Sequence, residues 1–171
     1  IKGLVGGGAA TMAEGPIHAY QTVAASMGHN LALGENLTIG LAFYLAQTRE
    51  QALRELKPLY EEHVKMFAPL GFVPGLTPEQ IAAVGGRGRW DAAGVPPVEH
   101  YMKLGSWFAG TPDDLVAHLK DFEERYPGMQ HINLSPPLTT PKELILDQYR
   151  MVGEEVMPHF RSSAAMPAAA K

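Results

Sequence analysis

The strongest feature of the hydrophobic pattern is Leu37-Thr38-Ile39-Gly40-Leu41-Ala42-Phe43-Tyr44-Leu45-Ala46. It is nearly continuously apolar, as strands buried on both faces are. Thr48 then stands as a helix N-cap, with Gln51 at capping-box spacing. Leu53, Leu56, Tyr60, Val64 and Phe67 form the stripe of the helix that follows, and Pro58 is expected to kink or divide it. Upstream, Ile1 to Val5 is a short apolar run that stops at Gly6-Gly7-Gly8. Ala9 to Met27 is helical in pattern, interrupted at Gly15-Pro16. Ile17, Tyr20, Val23, Ala24 and Met27 mark one face, and Gly28-His29-Asn30 ends the helix.

From Ala68 to Lys103 the period is lost. Eleven prolines and glycines, from Pro69 to Pro97, break any long element. The stretch reads as a mostly irregular, mobile excursion, in which Thr77-Pro78-Glu79-Gln80 starts one short helix. Ser106 to Gly110 returns to the body. Thr111, Pro112, Asp113 and Asp114 open the next helix, with Leu115, Val116, Leu119 and Phe122 as its apolar face. Tyr126-Pro127-Gly128 ends it. Met129 to Ser135 alternates as a strand does, with His131, Asn133 and Ser135 on one face. Thr140-Pro141-Lys142-Glu143 repeats the cap chemistry, and a last helix runs to about Phe160 with Leu144, Ile145, Gln148, Val152 and Val156 as its stripe. Residues 162–171 read as a flexible tail. Strands alternating with helices predict about three parallel βα units.

Composition narrows the function classes. The 171 residues are 46% hydrophobic and 19% charged, with a formal net charge of -4 and no Lys/Arg block, which speaks against a nucleic-acid binder. No cysteine is present, so thiol catalysis and cysteine-ligated zinc are excluded. The histidines at 18, 29, 63, 100, 118, 131 and 159 show no His-x-x-x-His spacing, and no metal site is expected. Glu61-Glu62-His63 reads as a solvated helix face, and Trp107 and Phe108 as core. No apolar run is long enough for a membrane span, and a cytoplasmic location is expected. Ile1 to Val5 reads as a strand rather than a leader, and the chain is expected to start inside a larger protein.

Three stretches, taken in order and spacing, resemble the bacterial-luciferase-like flavin-dependent monooxygenases. They are Leu37 to Ala52, with its strand running into Thr48-Arg49-Glu50-Gln51-Ala52; Gly105 to Val116, with Gly110-Thr111-Pro112-Asp113-Asp114; and Met129 to Leu134 with the later Glu154-Glu155-Val156-Met157-Pro158-His159-Phe160. The resemblance covers about Gly3 to Arg161. It implies the C-terminal portion of a (β/α)8 TIM barrel, with strands six, seven and eight at 1–6, 37–46 and 129–135. It makes residues 68–103 an insertion after the seventh strand that closes over the flavin. The implied activity uses reduced FMN and O2 to oxygenate a small organic substrate, the flavin being supplied by a flavin reductase. Deazaflavin is the second choice of cofactor. The implied partners are the missing N-terminal half of the barrel and, as a homo-oligomer, further copies.

Barrel chemistry sits where strands end at the C-terminal face. That rule selects Gly6, Gly7 and Gly8 for close approach to a cofactor phosphate, against a plain strand-to-helix turn. It selects Tyr44, Asn133 and Ser135 for substrate. Arg87 and Arg89, flanked by glycines in the insertion, could pair with a phosphate, or could form a solvated basic turn. His100-Tyr101 is a lid anchor or a surface pair. Catalytic residues are not legible. Two other classes stay open: a deazaflavin- or nicotinamide-dependent oxidoreductase, and a non-catalytic α/β barrel fragment acting as a binding module. Leu4 to Thr11 faintly resembles the dinucleotide fingerprint, but it lacks the last glycine and the acidic ribose partner.

Overall fold

The computed structural model describes residues 3–5, 10–73, 75–85 and 93–160. In chain order the elements are β1 (Gly3–Val5), α1 (Ala10–Ser26), β2 (Leu37–Leu45), α2 (Arg49–Phe67), α3 (Pro78–Val84), α4 (Val98–Lys103), β3 (Trp107–Gly110), α5 (Pro112–Arg125), β4 (His131–Ser135) and α6 (Lys142–Met151). A 3-10 turn at Ala68–Leu70 follows α2, and a π-helical turn at Val152–Val156 and a 3-10 turn at Met157–His159 extend α6.

All strand pairs are parallel, with β2 at the centre. β1 lies against Leu37 to Ile39, β4 against Thr38 to Ala42, and β3 against Ala42 to Leu45. Thr38 pairs with both β1 and β4, and Ala42 with both β3 and β4, so β1 and β3 share one edge of β2 end to end. The sequence pattern predicts three strands. The fourth, β3, is the segment 107–110, which is too short for periodicity to reveal.

Alternation along β2 sorts the core. Leu41, Phe43 and Leu45 pack with Leu115, Val116 and Leu119 of α5 and with Val152 and Val156, while Leu37 and Ile39 meet Ile17, Phe122 and Tyr126. The whole stripe expected for α5 is buried. Tyr44, on the other face, joins Trp107 and Ala109 under Leu56, Tyr60 and Val64 of α2. Residues 38, 40 and 42 on that same face are only partly buried. The strand is thus covered on both faces only at its C-terminal end, not along its whole length.

Threonine caps set three helix starts. Thr48 accepts from Gln51 N (3.1 Å), and Thr77 and Thr111 complete capping boxes with Gln80 and Asp114. Thr140 does not cap α6: the helix starts later, at Lys142, and the Thr140 hydroxyl is buried without a partner. Pro58 does not divide α2, nor does Pro16 divide α1. A proline removes one backbone bond, and packing of Leu56, Tyr60 and Val64 carries α2 past it.

The excursion is more regular than its prolines and glycines suggest. Ala68, Val84, Val98 and Tyr101 are buried against α2. Tyr60 Oη donates to Pro96 O (2.6 Å), and Lys57 pairs with Glu99 (2.7 Å), so α4 is tied to α2. Other apolar side chains have no cover among the described residues: Val23 and Met27 of the expected α1 stripe are 58% and 69% exposed, and Leu146 of α6 is 55% exposed. No helix among the described residues is long and apolar enough to cross a membrane.

Candidate functional site

The partly buried stretch of β2 floors a cavity of about 740 Å³. Gly40 and Ala42 of β2, Asn133 and Ser135 of β4, and Ser106 and Trp107 contribute to its lining. The register sets Gly40 beside Asn133 and Ala42 beside Ser135. Small residues on the central strand leave the depth, because nothing larger than a methyl projects there. One wall is α2, through Tyr60, His63, Val64 and Phe67. Gly71 to Val73 and Pro136 to Leu138 form the rim. The second rim segment is held by Thr139, whose hydroxyl donates to Leu59 O (3.1 Å).

Aromatic rings stiffen the α2 wall. Tyr60 meets Trp107 edge-on at 5.2 Å, and His63 meets Trp107 edge-on at 5.0 Å and Phe67 at 4.5 Å. Trp107 is therefore core on one side and cavity wall on the other. Phe108, on the opposite face of β3, is core alone. Burial holds the His63 imidazole below its ordinary pKa, which favours the neutral ring. Burial, with help from Tyr101 and Glu99, pushes the Tyr60 phenol up. His63 was expected on a solvated face beside Glu61 and Glu62; it is half-buried and lines the cavity instead.

The residues proposed from sequence are placed as follows. Asn133 and Ser135 lie side by side in the cavity lining. Tyr44 does not line it. Tyr44 is 2% exposed in the core under α2, and its hydroxyl donates to Glu55 (3.1 Å). Burial, then the Glu55 charge, pushes that phenol up to about 12. Gly6, Gly7, Gly8, Arg87 and Arg89 lie outside the described residues. Tyr101 is buried and His100 exposed, in ring contact at 5.3 Å. The members that residue-by-residue reading passed over are His63, Trp107 and Tyr60. A signal for the α2 members did exist: Tyr60, His63, Val64 and Phe67 fall at i, i+3, i+4 and i+7, one helical stripe.

The lining suits a particular chemistry. Roughly 300–1,000 Å³ is usual for a small-molecule site with apolar walls and a few polar groups. Among the described residues, no Lys, Arg, Asp or Glu is in this lining. Such a lining favours an apolar ring system over a phosphate, which finds no cation among the described residues.

Comparison with known proteins bears on the fold. No family model and no curated protein matches the sequence. Among solved structures, the chain is similar to monooxygenase RslO1 from Streptomyces bottropensis, at 18% identity and a TM-score of 0.62, over 92% of this chain and 41% of that one. It is also similar to a type II Baeyer-Villiger monooxygenase, the oxygenating constituent of 3,6-diketocamphane monooxygenase from the CAM plasmid of Pseudomonas putida, in complex with FMN. There the identity is 15% and the TM-score 0.52, over 83% of this chain and 38% of that one. The fold is that of monooxygenases, one of them with FMN bound. The chain spans about two fifths of the length of each.

Proposed function

We propose that this chain is the C-terminal part of a flavin-dependent monooxygenase with the (β/α)8 barrel of the luciferase-like family. One observation carries the reading: an apolar-walled cavity with a few polar groups lies on the face of a parallel sheet whose fold matches an FMN-bound monooxygenase. In a closed barrel this sheet face points inward. The side chains of α2 and the described parts of segment 68–103 would then cover the barrel mouth, and the cavity would open beneath them.

When bound, reduced FMN with O2 supplies the oxygenating chemistry. This chain's residues bind and shield. Trp107, Phe67 and the β2 floor would hold the ring system or the organic substrate against it, with Asn133 and Ser135 as polar contacts. The cover keeps water away from the reacting groups. The phosphate belongs outside the cavity, and Gly6, Gly7, Gly8, Arg87 and Arg89 are its proposed contacts. A flavin reductase and a homo-oligomer remain part of the proposal.

The test is a titration of FMN into the chain, followed by quenching of flavin fluorescence. Saturable binding that Ser135→Trp abolishes without loss of fold is expected. No saturation, or unchanged binding in Ser135→Trp, would overturn the reading.

A further inference from the structure

Among the described residues the cavity carries no charge in its lining, so an ionic ligand group would lose its hydration there without gaining a counter-charge from them. Of the polar side chains, two are already engaged: Tyr60 Oη donates to Pro96 O (2.6 Å) and Ser106 Oγ to Tyr101 O (3.1 Å). His63 is different. Its Nδ1 is buried with no hydrogen-bond partner among the described residues, and the Trp107 and Phe67 rings pack against its ring. A neutral imidazole has one N–H and one bare nitrogen. Nδ1 is unpaired in either tautomer, and only the form protonated on Nε2 keeps the N–H off that buried, partnerless position; we take this tautomer. His63 lines the cavity, so Nε2–H is the group this side chain has left to offer a bound molecule.

We infer that the cavity takes a neutral, largely apolar ring compound, and that His63 Nε2–H donates a hydrogen bond to a carbonyl-type oxygen on it. This deepens the functional reading above and rests on it only for the site's role as substrate chamber. His63 touches the ligand and fixes where its oxygen lies; Trp107 and Phe67 position His63.

The test is equilibrium dialysis of the chain, without flavin, against three probes: 2-acetylnaphthalene, its hydrocarbon isostere 2-isopropenylnaphthalene, and 2-naphthoate. The chain should bind the ketone up to about tenfold more tightly than the isostere, the worth of one neutral hydrogen bond, and the carboxylate most weakly. His63→Phe should bring the ketone-to-isostere affinity ratio down towards one, whatever it does to hydrocarbon binding, with circular dichroism reporting the intact fold. His63→Gln keeps an N–H and should keep most of the preference. Equal binding of ketone and isostere by the unmodified chain, a preference that survives His63→Phe, tightest binding of 2-naphthoate, or no binding of any probe would each overturn the inference. No flavin is present, so a failed FMN titration leaves this result standing, and the reverse also holds.

Discussion

Gln148 offers a sharp test of how the central strand is held. Its side chain is 2% exposed, accepts from Leu45 N (2.6 Å) and donates to Leu45 O (2.9 Å). Ala42 N and Ala46 N donate to Ser106 O and Gly110 O, so even-numbered backbone groups of β2 face β3. The Leu45 groups face the opposite edge, where pairing with β4 ends at Ala42. The Gln148 amide therefore replaces a missing strand for one residue. Gln148→Leu leaves a buried N–H and a buried C=O unpaired, at about 1–3 kcal/mol each. Added apolar burial offsets part of this, and a net loss of about 3 kcal/mol is expected. That is a large share of a typical domain stability of roughly 5–15 kcal/mol. Urea unfolding followed by circular dichroism measures it, with an unchanged m-value and with Leu146→Ala on the exposed side of the helix as a control costing under about 0.5 kcal/mol. Gln148→Glu adds a second readout. Only the protonated acid can donate to Leu45 O, and burial raises a carboxyl pKa. Its cost relative to the unmodified chain should thus be smallest at low pH and grow as pH rises through the raised value. A cost for Gln148→Leu equal to the Leu146→Ala control would refute the argument.

Three further outcomes are expected. His63 and His118 are both held below the ordinary histidine pKa, chiefly by burial; the unfolded chain then takes up protons first, so stability is complete above about pH 6.5 and declines below it. Thermal melts at stepped pH should show that decline, and His118→Phe, whose imidazole lies between Phe108 and Phe122, should lessen it; a flat profile in the unmodified chain contradicts the assignment. Thr111→Ala removes the hydroxyl that accepts from Asp114 N (3.2 Å) and should cost about 1 kcal/mol in the same urea assay. Arg87→Ala or Arg89→Ala should weaken FMN roughly tenfold or more, yet leave lumiflavin, which has no phosphate, unchanged; equal effects on both ligands would remove these arginines from phosphate binding.

Local chemistry made much of the fold legible. The α5 stripe and the Thr48, Thr77 and Thr111 caps follow from periodicity and capping chemistry alone; the alternation of strands and helices gave parallel pairing, and the resemblance set the two strands that pair at 38–42 and 131–135 side by side. What stayed hidden depends on long-range packing. Residues 107–110 become a strand by pairing with Ala42 to Leu45 of β2, a partner more than sixty residues away. Pro58 looks like a breaker until tertiary packing of Leu56, Tyr60 and Val64 outweighs one lost bond. Alternation put Asn133 and Ser135 on one strand face, and both line the cavity. The strand-end rule also selected Tyr44, but α2 crosses that end of the sheet and closes over it. His63 was masked by its acidic neighbours, although its spacing from Tyr60 and Phe67 put it on the buried stripe. The function of Gln148 could not be read at all, since it depends on how far β4 runs.

The central claim is that the cavity on the sheet face is where flavin and substrate meet this chain. Amide and indole chemical shifts, recorded by NMR while FMN is added, test it most directly. Saturable shifts concentrated at Gly40, Ala42, His63, Trp107, Asn133 and Ser135 are the predicted result. Shifts confined to surfaces remote from these residues, or none at saturating FMN, would contradict the account.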